Sequence, residues 1–138
     1  MTASHERIVL TYGTFDLFHP GHVQLLKRAR ELGSRLVVGL STDEFNAKKG
    51  KKSVMSFEDR QTVLLSCRYV DEVFAEEDWS QKLGDAQRIG ADVLADLLGG
   101  AVVRDQFVLG RHVDAVDVGV AHRRRRRSHV DLARAGVA

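Results

Sequence analysis

The sequence predicts an α/β domain of the doubly wound type, with helices on both faces of a mainly parallel sheet. Short apolar runs alternate with segments of helical spacing, which is the pattern of parallel strands joined by crossover helices. A length of 138 residues suits a single domain. In such sheets ligands bind beyond the carboxyl ends of the strands. The functional site is therefore expected in the loops that follow the strands.

The first strand, loop and helix are the clearest part of this pattern. Residues 7–12 (RIVLTY) are typical of a buried strand, and residues 13–21 (GTFDLFHPG) form a loop punctuated by glycine and proline. Residues 22–32 have apolar side chains at helical spacing, namely Val23, Leu26, Ala29 and Leu32. Gly33 is placed to end this helix.

The remaining elements repeat the alternation as far as residue 95. Strands are predicted at 35–40, 69–75 and 91–95. Helices are predicted after Ser56, which has Asp59 three residues on in a loose capping box, and over residues 79–89. A lysine-rich loop is predicted from Asn46 to Ser53.

Composition and charge exclude several classes of protein. The apolar runs are shorter than the roughly 18 residues of a membrane span, and the first residues lack the pattern of a signal peptide. One cysteine, Cys67, cannot form an internal disulfide, so a cytoplasmic location is expected. Residues 1–92 have 13 Lys/Arg against 14 Asp/Glu, whereas residues 93–138 have eight Arg against five Asp. The body of the protein therefore gives no indication of nucleic-acid binding.

The loop before the first helix has the features of a phosphate site. A helix that begins near Pro20 directs unpaired N–H groups and the positive end of its dipole into the loop, where anions bind. Gly21 allows close approach of a ligand to the backbone. His19 and His22 are three residues apart and can face the same anion, and the hydroxyl of Thr14 can add a further contact. A metal site held by the protein is not expected, because residues 1–92 offer no evident third His or Cys ligand.

These residues resemble a known superfamily. His19-Pro20-Gly21-His22 matches the HxGH signature of nucleotidyltransferases, and TYGTFDLFH matches the segment that precedes it. Over about residues 8–92 the chain is similar to the bacterial glycerol-3-phosphate cytidylyltransferases, through several further segments. These are STDEFN (41–46), the lysine loop, Arg60 and RYVDEV (68–73). The resemblance implies a Rossmann-like fold and the transfer of CMP from CTP to glycerol 3-phosphate, which yields CDP-glycerol and pyrophosphate.

The resemblance also implies roles for particular residues. His19, His22 and Lys49 would be catalytic, and Mg²⁺ would accompany the triphosphate. The predicted nucleotide-binding residues are Gly13, Thr14, Phe15, His19, Pro20, Gly21, His22 and Lys51. The predicted acceptor-binding residues are Lys49, Lys82, Arg60, Arg68, Trp79 and Asp16. For Arg60 and Arg68 an alternative is the pairing of structural carboxylates, for Asp16 it is a structural role in the loop, and for the lysine loop it is an ordinary solvated surface.

After about Val93 the sequence departs from this family. The nucleotide-binding segment expected near the end, Arg-Thr-x-Gly-Ile-Ser, is absent, and residues 93–138 contain no Lys, Glu, Ile, Thr, Pro, Tyr or Trp. We therefore divide the domain into a core of residues 1–92 and a divergent segment of residues 93–138. Our hypothesis is that this segment is translated out of frame or comes from a damaged gene, which sequencing of the gene would test. The arginine run 123–127 is interpreted as a solvated tail, without specific nucleic-acid binding.

Three interpretations of function remain open. The first is a CTP:glycerol-3-phosphate cytidylyltransferase that supplies precursors of teichoic-acid-type or other cell-envelope polymers. The second is an adenylyltransferase, or a cytidylyltransferase for another phosphorylated alcohol. The third is an inactive nucleotide-binding remnant. The resemblance further implies a homodimer, and neither a membrane nor a nucleic-acid partner is expected.

Overall fold

The computed structural model describes residues 6–96 throughout, together with three short strands further along the chain. The elements up to residue 96 are β1 (Ile8–Gly13), α1 (Pro20–Glu31), β2 (Arg35–Ser41), α2 (Asp43–Lys48), α3 (Phe57–Leu65), β3 (Glu72–Glu76), α4 (Gln81–Ile89) and β4 (Val93–Asp96). The later strands are β5 (Phe107–Val108), β6 (Arg111–His112) and β7 (Asp114–Asp117). Among the described helices, none has the length and apolar character that crossing a membrane requires.

Five strands form one parallel sheet in the order β3-β2-β1-β4-β7, while β5 and β6 make a separate antiparallel pair. In the register of the sheet Gly13 pairs with Leu40, and Ser41 pairs with Glu76. The carboxyl ends of the first three strands therefore lie side by side. The loops that leave them can build one site at this edge.

Helices cover both faces of the sheet. Val9 packs in a buried cluster with Leu26 of α1 and Leu64 of α3. Its neighbour Leu10 points to the other face and packs with Ala86 of α4. Successive strand residues face opposite ways, so this alternation places α1 and α3 on one face and α4 on the other. The predicted doubly wound α/β class is confirmed.

Two details of the predicted elements are wrong. The third strand begins at Glu72, not at residue 69, because the Asp71 carboxylate accepts the backbone N–H of Leu36 (2.8 Å) and the chain turns before the strand. A short helix, α2, occupies the start of the predicted lysine loop. Thr42 caps this helix by accepting the N–H of Phe45 (3.1 Å). Six residues are too few for helical periodicity to be evident in the sequence.

Candidate active site

The loop between β1 and α1 has an unusual backbone conformation. Phe15 and Leu17 have φ angles of 46° and 48°, in the left-handed region that residues other than glycine seldom adopt. Asp16 lies between these two residues in the sequence and anchors the loop, because its carboxylate accepts the N–H groups of Val54 (2.7 Å) and Met55 (2.9 Å). Burial alone would raise the pKa of Asp16, but these backbone donors lower it below its usual value. Strain of about 1–3 kcal/mol per residue is typical of functional loops.

The two histidines of the HxGH segment cap the helix that follows. His19 is the N-cap of α1, and its Nδ1 accepts the N–H of Gly21 (3.0 Å). In return, the backbone N–H of His19 donates to Nδ1 of His22 (3.3 Å). The rings are stacked with centroids 3.9 Å apart. Imidazoles thus fill the capping-box positions in which a hydroxyl and a carboxylate are usual.

This cap fixes the tautomers of both rings. A neutral imidazole has one donor nitrogen and one acceptor nitrogen. Because Nδ1 is the acceptor in His19 and in His22, the proton of each neutral ring resides on Nε2. Two Nε2–H donors are therefore available beside the N-terminus of α1, where the helix dipole already favours an anion.

Two phenylalanine rings also pack against the His22 ring. The Phe18 ring stacks on it at 5.5 Å between centroids, and the Phe15 ring meets it edge-on at 5.4 Å. Burial lowers the pKa of His22, the neighbouring His19 lowers it further, and Asp16 opposes both effects. His22 is therefore neutral near pH 7 and keeps Nδ1 as an acceptor.

Gly21 is required by the position of the His19 ring. A Cβ atom built on Gly21 would lie 2.6 Å from Cε1 and 2.9 Å from Nδ1 of His19. Carbon atoms in contact are normally about 3.5–4.0 Å apart. Any larger residue at this position would displace the imidazole from the helix terminus.

Thr14 connects the loop to α2. Its hydroxyl donates to Oδ1 of Asn46 at 3.1 Å. Asn46 is buried, and its Nδ2 has no hydrogen-bond partner among the described residues. An unsatisfied buried donor costs about 1–3 kcal/mol. The hydrogen bond from Thr14 to Asn46 links the loop between β1 and α1 to α2, which leads into the lysine loop.

A cluster of cations and aromatic rings lies at the carboxyl ends of β1, β2 and β3. The ammonium of Lys49 lies 4.3 Å from the centroid of the Phe45 ring, and the ring of Trp79 packs edge-on against Phe45 at 4.8 Å. Lys82 lies over the ring of Tyr12 at 5.0 Å. Trp79 is exposed. The cluster thus offers two ammonium groups and an open aromatic surface to an anionic organic ligand.

Arg60 is buried and is committed to contacts within the protein. Its guanidinium donates to the carbonyl oxygens of Thr14 (2.9 Å), Ser41 (2.8 Å) and Met55 (3.1 Å), and it pairs with Asp43 (2.7 Å). The Asp43 carboxylate also accepts the N–H of Phe57. That hydrogen bond and the Arg60 contact lower the pKa of Asp43. Arg60 thus ties the ends of β1 and β2 to α3.

Comparison with protein families identifies the family of this chain. A family model described as cytidylyltransferase-like matches residues 10–125. The chain belongs to the cytidylyltransferase-like family. It is 54% identical over 85 residues to the glycerol-3-phosphate cytidylyltransferase of Staphylococcus aureus, covering 62% of this chain and 64% of the relative. It is 57% identical over 77 residues to the enzyme of the same name from Bacillus subtilis, covering 56% and 60%.

The chain thus spans less than two thirds of the length of these cytidylyltransferase relatives. A solved structure confirms the fold alone. The crystal structure of the lipopolysaccharide core biosynthesis protein from Thermoplasma volcanium matches with a TM-score of 0.68 at 21% identity, over 82% of this chain and 96% of that protein. The predicted division at residue 93 and the out-of-frame hypothesis stay predictions. Most of residues 97–138, including the arginine run, lies outside the described residues.

In this cytidylyltransferase-like chain, the predicted site residues fall into three groups. Most predicted nucleotide-binding residues lie in the segment from the end of β1 to the start of α1; they are Gly13, Thr14, Phe15, His19, Pro20, Gly21 and His22. Lys49, Lys82 and Trp79 come together at the cation–aromatic cluster, and Lys51 lies close enough to influence the pKa of Lys49. Their binding roles stay predictions.

Asp16, Arg60 and Arg68 form the third group, whose side chains are engaged in contacts within the protein. Their acceptor-binding roles also stay predictions. For Arg60 the structure shows the alternative of a structural carboxylate partner, and Asp16 binds backbone N–H groups within the protein. Arg68 precedes β3, near the amino end of the parallel sheet, and donates to the hydroxyl of Tyr69 at 2.9 Å. It is therefore at the opposite edge of the sheet from the histidine pair.

Sequence reasoning missed three residues at the site. Ser41, Asn46 and Glu76 are all polar and buried at the carboxyl edge of the sheet. Ser41 and Asn46 lie in the STDEFN segment and Glu76 ends the third strand. A polar residue that closes an apolar strand was the available signal, but the register that pairs Ser41 with Glu76 is a tertiary property.

Proposed function

We propose that this chain transfers CMP from CTP to glycerol 3-phosphate, with release of pyrophosphate. The observation that carries the proposal is the imidazole pair whose Nε2–H groups are left as donors beside the N-terminus of α1. Positively polarised donors at that place suit the α- and β-phosphates of a nucleotide. Two relatives named as glycerol-3-phosphate cytidylyltransferases support the choice of base and acceptor.

The proposed reaction is a single in-line displacement. A phosphate oxygen of glycerol 3-phosphate attacks the α-phosphorus of CTP, the bond from that phosphorus to the bridging oxygen breaks, and pyrophosphate leaves with the bonding electrons. His19 and His22 donate hydrogen bonds from Nε2 to the phosphate oxygens as negative charge builds on them. Fixed donors of this kind stabilise charge without reorganisation. No covalent intermediate with the enzyme is needed.

The cation–aromatic cluster is the proposed acceptor side of the site. Lys49 and Lys82 attract the phosphate of glycerol 3-phosphate, and Lys51 attracts the phosphates of CTP. Trp79 supplies an apolar surface for the carbon chain. Holding both phosphates in place is itself a large part of catalysis, because the reaction then becomes effectively unimolecular.

Magnesium enters this proposal as part of the nucleotide substrate. Among the described residues no three His, Cys, Asp or Glu side chains come together as a metal site. The oxygens of Asp16 are occupied by backbone donors. The donor set around the imidazole pair suits anions, so the ion would be bound by the triphosphate, where it would offset phosphate charge.

An assay of pyrophosphate release separates the proposal from its alternatives. CTP and ATP are each supplied with and without glycerol 3-phosphate. Turnover only with CTP plus glycerol 3-phosphate supports the proposal. Turnover with ATP would indicate an adenylyltransferase, activity with another phosphorylated alcohol would change the acceptor, and nucleotide binding without turnover would indicate an inactive remnant.

The variant His19→Ala tests the site itself. It removes one Nε2 donor, and we expect turnover to fall by about 10²–10³-fold or more, with an unchanged circular-dichroism spectrum. Unaltered kcat in a folded His19→Ala protein would exclude this loop as the catalytic site.

The setting of the reaction is also a proposal. We infer a cytoplasmic enzyme that supplies CDP-glycerol for teichoic-acid-type or other cell-envelope polymers. We further infer a homodimer, which sedimentation equilibrium of the purified chain tests directly: a monomer at all concentrations would contradict it.

A further inference from the structure

Glu76 is a buried carboxylate at the edge of the sheet that holds the proposed acceptor site. It is the last residue of β3, it is 4% exposed, and it pairs in register with Ser41, the last residue of β2. Carboxylates are seldom buried unless a partner compensates for the lost hydration. The hydrogen-bond partners of Glu76 therefore indicate its role in the protein.

A chain of hydrogen bonds joins Glu76 to Lys49. The hydroxyl of Ser41, which is fully buried, donates to Oε2 of Glu76 at 2.8 Å. The same oxygen atom of Ser41 accepts a hydrogen bond from Nζ of Lys49 at 3.0 Å. Because the hydroxyl donates its only proton to the carboxylate, its oxygen is turned toward the ammonium as an acceptor. The Phe45 ring contacts the ammonium from another direction.

The charges around Lys49 make Glu76 important for its protonation. Burial lowers the pKa of Lys49, and the nearby cations Lys51, Lys82 and Arg60 lower it further. Glu76 opposes these effects, and it is the largest charge contribution acting on Lys49, in the direction that raises this pKa. Replacing Glu76 with a neutral residue would therefore leave a half-buried amine among cations, which favours the uncharged form.

We propose that Glu76 is a positioning residue that acts through Ser41 to hold Lys49 charged and correctly placed for the phosphate of the acceptor. This inference rests on the proposed function, because it concerns the acceptor side of the same reaction. Because its carboxylate is buried and is engaged by Ser41, we assign Glu76 no direct contact with the substrate. Its effect reaches the reaction through the ammonium of Lys49, which is the group that meets the incoming phosphate.

A structural role for Glu76 is the competing explanation. The hydrogen bond between Ser41 and Glu76 joins β2 to β3, so its loss would also affect stability. A purely structural role would lower the free energy of unfolding without changing the titration of Lys49. It would also leave the ratio between the KM values for acceptor and nucleotide unaltered.

The experiment compares Glu76→Gln with Glu77→Gln, its exposed neighbour. Protein labelled in its lysine side chains is titrated by NMR, and the Lys49 signal is assigned with Lys49→Arg. We expect the pKa of Lys49 to fall in Glu76→Gln and to stay unchanged in Glu77→Gln. We also expect KM for glycerol 3-phosphate to rise about tenfold while KM for CTP changes less than about twofold. The alkaline limb of the pH profile should move to lower pH.

Two further variants keep the test decisive if Glu76→Gln folds poorly. Glu76→Asp keeps the charge, so it should retain the Lys49 titration more closely than Glu76→Gln does. Ser41→Ala removes the hydroxyl link and should lower the pKa of Lys49 with the carboxylate still present. An identical Lys49 titration in the wild type, Glu76→Gln and Ser41→Ala would overturn the inference. The titration needs no turnover, so failure of the proposed function is recognised separately, as absent activity in the wild type.

Discussion

Replacing Gly21 with alanine perturbs the imidazole pair while leaving both histidines in the sequence. The added Cβ would lie 2.6 Å from Cε1 of His19, whereas carbon atoms in contact need about 3.5 Å. The His19 ring must therefore move by about 1 Å, and the hydrogen bond from the Gly21 N–H to Nδ1 (3.0 Å) is lost or distorted. A displacement of that size at reacting groups reduces turnover by about 10²-fold.

The assay measures both kcat and stability, since the two are expected to separate. Alanine is favoured over glycine inside a helix by about 1 kcal/mol, which offsets the weakened cap. We therefore expect the free energy of unfolding of Gly21→Ala to stay within about 1 kcal/mol of the wild type. The loss of activity would then reflect the position of the ring.

Gly84→Ala is the matched control. Gly84 also lies in a helix, α4, but a Cβ at that position would meet no atom within 4 Å. This variant should gain up to about 1 kcal/mol of stability and keep its activity. If Gly21→Ala turned over CTP as fast as Gly84→Ala does, the account of the imidazole pair would be refuted.

Two further predictions concern stability. Arg60→Met should lower the free energy of unfolding by about 3 kcal/mol, because it leaves buried carbonyl oxygens without a donor and Asp43 without its partner. Urea unfolding measures this change. The control, Arg68→Met at an exposed position, should change the free energy of unfolding by less than about 0.5 kcal/mol. Equal effects of the two variants would contradict the role given to Arg60. For His22, the folded-state pKa lies below the usual 6.5, so the unfolded chain binds the proton more readily. The neutral His22 side chain therefore makes its full contribution to the free energy of unfolding above about pH 6.5. This contribution is lost as the pH falls through the lowered pKa. A comparison of urea unfolding across this range should show a smaller pH dependence in His22→Gln than in the wild type, and parallel curves would argue against the neutral cap.

The first strand, loop and helix could be predicted because local chemistry determines them. Proline at the start of a helix, glycine in the loop and apolar residues at helical spacing each restrict a few neighbouring residues. Leu26 and Ala29, two of the apolar residues in the predicted helix, are buried in the core as that spacing requires. The HxGH segment could be recognised as a candidate site for the same reason, since its residues are close in sequence.

Contacts between distant segments could not be predicted in the same way. The sequence places Asp16 and Arg60 in motifs, but it does not show their partners. Only the folded chain shows that Asp16 binds the backbone of residues 54–55 and that Arg60 donates to three backbone carbonyl oxygens from separate segments. The burial of Glu76 depends on the register between β2 and β3. Such register is set by packing of the whole sheet, and a motif of a few residues does not contain it.

The central claim is that one triphosphate meets both imidazoles at the start of α1. A crystal structure of the wild-type chain with CTP and Mg²⁺ tests it most directly. We predict that Nε2 of His19 and Nε2 of His22 each lie within about 3.2 Å of an α- or β-phosphate oxygen. A nucleotide bound elsewhere, or one whose phosphates contact neither Nε2 atom, would contradict the account.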